Sequence, residues 1–296
     1  MRRRSDLPLY LAMRTAVAAA RLLPRGGALR LGAALGSLAR SPLGLRRTVA
    51  EGNLALAFPE LSQAARDDIC RRMYAHWGRM AVESLRVVSG GGDEILPLVR
   101  ADEQIATVRD LLARGRGLLL LGGHFGNWEV AAAFLWKRGI PVTAVWRPQS
   151  NPWVARYLDG LRRRVGVDAI PDTDARPAVR AAVRAALEAG RLVGLIADQS
   201  PLRTNTRAPF FGRPTRTYEG PGRLAAQTGC PVALGGMLCD GSGGYRAFLE
   251  VLDEAPRGDA DETVDRIATR FRARLEAHVR TAPEQYMWTH RLWKER

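Results

Sequence analysis

Short apolar runs alternate with amphipathic segments over the last two thirds of the chain. The segment 176–189 places alanine, leucine and arginine at helical spacing between two of these runs. Strands that alternate with helices require crossover connections, which build a largely parallel sheet. We therefore predict an α/β fold with a mixed, largely parallel central sheet flanked by helices. The runs that predict its strands are 117–122, 141–146, 192–197, 232–237 and 245–252.

The first ninety residues show helical spacing instead. Residues 61–88 predict one long helix, with Ser62 as its N-cap and the acidic pair Asp67 and Asp68 in its early turns. The glycines at 90–92 then interrupt the pattern. We place a boundary there, between an N-terminal membrane-anchoring helical region (1–90) and an α/β domain (91–296).

The stretch from Leu7 to Leu23 is apolar except for Arg14 and Arg21. A spanning helix needs about 20 apolar residues, and this run is interrupted. The two arginines are seven positions apart and share one helix face, which leaves Leu, Ala, Val and Tyr for lipid. We expect an anchor at the membrane surface; a signal peptide and an ordinary core helix are the alternatives.

The formal net charge of +15 is carried almost entirely by arginine and calls for an anionic partner. Phospholipid head groups, an acidic carrier protein and nucleic acid all fit that charge. Ten arginines fall within the first fifty residues, and no helix-turn-helix, zinc-finger or RNA-recognition signature is present. We therefore expect an anionic membrane surface and no nucleic acid.

The cysteines and histidines do not form a recognisable metal or disulfide pattern. Cys70, Cys230 and Cys239 are odd in number and lack C-x-x-C spacing, which argues for a reducing compartment. H-E-x-x-H is absent as well. We expect no metal and no cofactor.

The run GLLLLGGHFGNWE joins a predicted strand to a predicted helix, for which Asn127 is the expected N-cap. On a regular helix, His124 and Glu129 would lie about 140° apart. His124, however, precedes the helix on a glycine-rich turn, so the carboxylate of Glu129 can reach the imidazole. A histidine held by a carboxylate can take the proton of an alcohol. Because no G-x-S-x-G is present, that alcohol would belong to the substrate.

The segment HFGNWE resembles the H-x4-D/E signature of the lysophospholipid acyltransferase superfamily, and specifically its lipid A late-acyltransferase branch. Further stretches agree with that branch in the same order, which makes the resemblance specific. They are NLALAFPE (53–60), WRPQSNP (146–152) with LRRR (161–164), ADQSP (197–201) with PFFGRPTRTYEGPGRLA (209–225), and PEQYMWTHRLWK (283–294).

This resemblance implies a glycerol-3-phosphate acyltransferase-like fold. It also implies transfer of a fatty-acyl chain from acyl carrier protein, or acyl-CoA, to a hydroxyl of a lipid A precursor on the cytoplasmic side of the inner membrane. By position in the motifs, His124 is the general base and Glu129 its partner. Asp198 is a supporting acid, and Arg162 or Arg164 faces the phosphorylated substrate or the thioester oxyanion.

Several alternatives remain at this stage. Arg147 is a second candidate for anion binding, Asp198 could only cap a turn, and residues 162–164 could be a solvated helix face. The aromatic C-terminal stretch suits either a membrane interface or packing against the sheet. The acceptor could be a phosphatidylinositol mannoside, whose enzymes usually have aspartate at the position of Glu129, or a lysophospholipid. A membrane scaffold without activity is a further alternative.

Overall fold

The computed structural model describes residues 6–172, 176–201, 204–256 and 258–293. Within these residues the chain forms ten α-helices and nine β-strands. The helices are α1 (Asp6–Leu22), α2 (Arg25–Arg40), α3 (Arg47–Ala57), α4 (Gln63–Arg86), α5 (Asp102–Ala113), α6 (Trp128–Lys137), α7 (Pro152–Arg164), α8 (Arg176–Glu188), α9 (Gly220–Thr228) and α10 (Ala260–Thr281). The strands are β1 (Val99–Arg100), β2 (Leu118–Gly122), β3 (Val142–Trp146), β4 (Val167–Pro171), β5 (Leu192–Ile196), β6 (Arg207–Phe210), β7 (Arg213–Arg216), β8 (Val232–Cys239) and β9 (Tyr245–Asp253).

One sheet contains seven strands in the order β1-β9-β8-β2-β5-β3-β4. All neighbouring pairs are parallel except β8 and β9, which are antiparallel. Strands β6 and β7 form a separate antiparallel hairpin. The predicted mixed, largely parallel sheet is therefore confirmed.

The five predicted strands correspond to β2, β3, β5, β8 and β9. All five are interior strands, and an interior strand covered on both faces has the continuous apolar run that sequence reveals. Strand β4 lies at an edge, where Asp168 is exposed and Pro171 ends the strand, so its pattern is weaker. The apolar pattern does not reveal the short β1 or the arginine-containing hairpin.

Two apolar clusters cover the two faces of the sheet, and consecutive residues of β2 point into different clusters. Leu119 packs with Met73 of α4 and Phe271 of α10, whereas Leu118 packs with Phe134 of α6. The division of the chain at residue 90 stays a prediction. Core packing crosses that position, because Leu54 and Met73 share a cluster with the sheet.

The predicted helices of the N-terminal region are present as α1 and α4. The Ser62 hydroxyl caps α4 by accepting a hydrogen bond from the amide of Ala65, 3.2 Å away, as predicted. Among the described residues, no helix has both the length and the apolarity that crossing a bilayer requires. The arginines of α1 and the exposed leucines at its two ends lie on the surface of the protein.

Candidate active site

His124 lies two residues beyond the carboxyl end of β2, on the turn that leads into α6. This turn requires a glycine at position 126, where φ is +68° and a Cβ would lie 2.0 Å from the carbonyl oxygen of Met237. The amide of Asn127 donates to the same carbonyl at 2.8 Å. The backbone that carries His124 is thus fixed against the neighbouring strand β8.

The C-terminal segment secures the other side of this turn. The amide of Met287 donates to the carbonyl of His124 at 2.9 Å, and the amide of Gly126 donates to the carbonyl of Gln285 at 3.1 Å. Tyr286 and Trp288 are fully buried. Of the two alternatives for this aromatic stretch, the structure shows packing against the protein.

The carboxylate that holds the imidazole of His124 belongs to Asp198. Asp198 Oδ1 lies 2.8 Å from His124 Nδ1, and its Oδ2 accepts the backbone amide of His124 at 2.9 Å. The register of the sheet explains the contact, because Gly122 of β2 is paired with Ile196 of β5. His124 and Asp198 each follow these partners by two residues, so they emerge side by side at the carboxyl edge.

Burial and charge act in opposite directions on this pair. Burial alone would lower the pKa of His124, but the charge and the hydrogen bond of Asp198 outweigh it and raise the pKa above its ordinary value. Burial would raise the pKa of Asp198, yet His124, its amide and the charge of Arg272 together lower it. Asp198 is therefore ionised at neutral pH. With Nδ1 donating to it, the lone pair of the imidazole is on Nε2.

The other ring nitrogen of His124, Nε2, is not bonded to Asp198 and has an uncharged neighbour. The amide nitrogen of Gln199 lies 3.4 Å from Nε2, and the indole of Trp128 contacts the imidazole edge to face, with 5.5 Å between ring centroids. The side chain of His124 retains 22% of its exposure. The imidazole is therefore partly accessible to solvent.

The predicted contact between Glu129 and His124 is wrong, because Glu129 bonds to Arg162. Glu129 Oε1 accepts from Arg162 Nη2 at 2.5 Å and from Nε at 3.1 Å. Helix α6 begins at Trp128, so Glu129 lies in its first turn and faces α7, which carries Arg162. Asp198 occupies the place beside the imidazole that the sequence had suggested for Glu129.

Two groups orient the side chain of Arg162, and one of its three nitrogens has no partner among the described residues. The guanidinium carbon lies 4.7 Å from the centroid of the Trp146 ring, and the guanidinium also forms an ion pair with Glu129. Nη1 is buried and has no hydrogen-bond partner among the described residues. An arginine fixed in this way is suited to bind an oxyanion or a phosphate.

The other two arginines that the sequence suggested are not assembled with this centre. Arg147 is exposed after β3, and Arg164 is exposed at the end of α7. No hydrogen bond or ion pair joins either of them to His124, Asp198 or Glu129 in the described parts of the chain.

Asn127 is a buried structural support in this site. Its Oδ1 accepts the amide of Val130 at 3.2 Å, which confirms the predicted N-cap. Its Nδ2 donates to the hydroxyl of Tyr245 at 3.2 Å, and that hydroxyl in turn bonds to the buried carboxylate of Glu83. These contacts fix the start of α6 and hence Glu129.

The structure adds one charged residue that sequence reasoning missed. Arg272 of α10 donates from Nη1 to the backbone carbonyl of Asp198 at 2.7 Å, across 74 positions of sequence. Nothing in the sequence distinguishes it from the other arginines of α10, because its partners come from remote segments. Only the fold brings it to the site.

A family model described as bacterial lipid A biosynthesis acyltransferase matches residues 4–295. A phosphatidylinositol mannoside acyltransferase of Mycobacterium tuberculosis is 29% identical over 169 residues, which cover 56% of this chain and 52% of that protein. The chain thus spans about half the length of this curated relative.

Two proteins of Escherichia coli are similar over longer segments. Its lipid A biosynthesis lauroyltransferase is 28% identical over 275 residues, covering 90% of this chain and 85% of that protein. Its lipid A biosynthesis palmitoleoyltransferase is 26% identical over 271 residues, covering 90% and 84%. Because the family model matches almost every residue, the chain belongs to the bacterial lipid A biosynthesis acyltransferase family.

Proposed function

We propose that this protein is an O-acyltransferase that moves a fatty-acyl chain from a thioester, on acyl carrier protein or coenzyme A, to a hydroxyl of a lipid A precursor. The observation that carries the proposal is the partly exposed imidazole of His124, held at Nδ1 by the ionised Asp198. Family membership supports acyltransferase activity, and the two relatives of Escherichia coli support the lipid A acceptor.

In this mechanism the acceptor hydroxyl supplies the nucleophile. His124 Nε2 takes the hydroxyl proton as the oxygen attacks the thioester carbonyl, and Asp198 stabilises the imidazolium that forms. The tetrahedral intermediate then collapses, the carbon–sulfur bond breaks, and the imidazolium returns its proton to the leaving thiolate. The products are an ester and a free thiol.

Arg162 is the proposed anion-binding residue of the site. Its unpartnered Nη1 donors suit either the developing oxyanion or a phosphate of the acceptor, and Glu129 fixes the guanidinium in place. Glu129 acts on the reaction through Arg162 and not as the partner of the base. Arg147 and Arg164, both exposed, are proposed as secondary contacts to the anionic membrane surface.

The proposed location is the cytoplasmic side of the inner membrane. Ten of the sixteen exposed large apolar side chains of the described residues are leucines within the first 45 residues. A concentration of exposed apolar side chains in one region of the chain is typical of a partner- or membrane-binding segment. The arginines between these leucines favour anionic phospholipid head groups.

The deciding experiment measures transfer of a labelled acyl group from acyl carrier protein to a Kdo-lipid A precursor in detergent micelles. We expect His124→Ala to reduce transfer by about 10²-fold or more while the circular dichroism spectrum is unchanged. His278→Ala is the matched control, because His278 pairs with Glu250 away from the site. A His124→Ala protein that retains most of its activity would contradict the base assignment.

A phosphatidylinositol mannoside is the second candidate acceptor, because the mycobacterial relative carries that name. The same assay should contain it, together with a lysophospholipid, as competing acceptors. A folded wild-type protein that acylates only the mannoside would replace the lipid A proposal.

A further inference from the structure

Arg272 is held deep inside the protein by oxygen acceptors that carry no charge. Its side chain is completely buried in the middle of α10. Besides the Asp198 carbonyl, Nη2 donates to the carbonyl of Arg216 and Nε donates to the hydroxyl of Thr217, each at 3.0 Å. The ring of Phe210 lies 5.2 Å from the guanidinium carbon. A guanidinium fixed by three bonds cannot turn toward solvent.

A buried cation is costly unless an anion compensates it. No carboxylate forms an ion pair with Arg272 within the described residues, so the compensating charge must act over a longer distance. Asp198 is that charge, because Arg272 is among the groups that hold its pKa low against the effect of burial. The hydrogen bond to the Asp198 carbonyl keeps the two groups close.

Four groups of the described chain face Asp198 from different elements. They are His124 on the turn after β2, Arg272 on α10, Tyr218 before α9 and Tyr286 in the C-terminal segment. Burial and nearby negative charge raise the pKa of both tyrosines, so both are neutral. Asp198 therefore lies between an imidazole that titrates and a guanidinium that does not.

We propose that Arg272 is a positioning residue that acts through Asp198: it fixes the backbone that follows β5 and disfavours protonation of the imidazole of His124. His124 and Asp198 share protons as a coupled pair. A permanent cation behind Asp198 makes every protonated form of the pair less favourable, which limits the rise in pKa that Asp198 causes. The inference rests on the proposed function only where it treats His124 as the base.

The first test follows the titration of His124 by NMR in the free protein, and it needs no substrate. We expect Arg272→Met to raise the pKa of the pair by about one pH unit. The acid limb of the pH profile of kcat/KM, where the rate falls on acidification, should move upward by the same amount, with a loss that approaches about tenfold at pH values below that limb. Arg270→Met is the matched control on α10, because Arg270 donates to the carbonyl of Leu252 and makes no bond to Asp198 or His124 among the described residues.

The conservative variant separates charge from position. Arg272→Lys keeps the charge but cannot make all three bonds, so we expect the titration of His124 to stay at the wild-type value while kcat falls. An unchanged titration in folded Arg272→Met would overturn the electrostatic role. Full kcat in Arg272→Lys would overturn the positioning role. If His124 titrates as expected but no acceptor is acylated, only the proposed function fails.

A double-mutant cycle on stability tests the inference independently if Arg272→Met is poorly folded. Urea midpoints are compared for the wild type and for Asp198→Asn, each with and without Arg272→Met. We expect Arg272→Met to lower the urea midpoint less in the Asp198→Asn protein than in the wild type. In the Asp198→Asn protein the arginine has already lost its compensating anion. Equal decreases in both chains would overturn the inference.

Discussion

At the scale of single residues, Asp198 and Glu129 are the two carboxylates of the site, and their partners differ. Asp198 is bonded to the imidazole of His124, whereas Glu129 is bonded to the guanidinium of Arg162. The two side chains should therefore affect different kinetic parameters. Removing the carboxylate of Asp198 changes the base, and removing that of Glu129 changes the anion-binding group.

We expect Asp198→Asn to reduce kcat by about 10²- to 10⁴-fold, because the imidazole loses its orientation and the imidazolium loses its counter-charge. Asp198 raises the pKa of His124, so wild-type activity should fall as pH decreases through a value above the ordinary imidazole pKa. Without the carboxylate, burial alone lowers that pKa, and the acid limb should move to lower pH. The measurement is kcat as a function of pH, and a limb that does not move would contradict the pairing.

We expect Glu129→Gln to leave the acid limb in place and to act mainly on KM. The amide still accepts a hydrogen bond from Arg162 but no longer balances its charge, so the guanidinium is held less firmly. An increase in KM of about tenfold would correspond to about 1.4 kcal/mol of lost binding. An acid limb that moves in Glu129→Gln would restore the contact with His124 that the sequence predicts.

At the scale of elements, helix α2 packs against α4 through glycines that face each other. A Cβ at Gly36 would lie 2.0 Å from the carbonyl oxygen of Tyr74, and one at Gly78 would lie 1.9 Å from that of Gly32. The adjacent face of α2 presents Leu31 and Leu35 to solvent. The close packing of α2 against α4 thus leaves the leucines of α2 exposed to solvent.

We expect Gly36→Ala to lower the free energy of unfolding by about 1–3 kcal/mol or more, because backbone atoms must move to admit the methyl group. Gly52→Ala in α3 is the matched control, since a Cβ there meets nothing within 4 Å. That control should gain stability by about 0.5–1 kcal/mol, as alanine favours the helix. Chemical denaturation of both variants measures the difference, and equal effects would contradict the packing described for α2.

At the scale of the whole molecule, apolar and cationic surface coincide in the N-terminal region. Leu31, Leu35 and Leu38 lie along one stripe of α2, and all three are exposed. We expect Leu35→Glu with Leu38→Glu to weaken binding to anionic phospholipid vesicles by at least about tenfold, because each leucine would otherwise be buried in lipid. Sedimentation with vesicles at low and high salt is the measurement.

Leu98→Glu is the matched control, because Leu98 is also an exposed leucine but lies outside the N-terminal region. Its vesicle binding should equal that of the wild type. Binding that falls equally in both variants, or in neither, would contradict the membrane proposal for α1 and α2. Weaker binding at high salt would indicate that the arginines contribute, since salt screens exposed charges.

Features that depend on local pattern can be predicted from the amino-acid sequence alone. Interior strands such as β2 and β5 appear as apolar runs because both of their faces are covered, and the caps Ser62 and Asn127 act on amides three residues away. His124 is recognisable from its position between a strand and a helix. These interactions lie within a few residues of one another.

The tertiary structure decided which side chains meet. The parallel register of β2 and β5 puts Asp198 beside His124, and the direction of α6 turns Glu129 to Arg162 instead. Arg272 reaches the site only because α10 packs beside β6 and β8, which brings its guanidinium to the carbonyl of Asp198. These contacts join residues tens of positions apart, and local hydrophobic periodicity holds no information about strand order or register, so only the folded chain could assign a partner to the base.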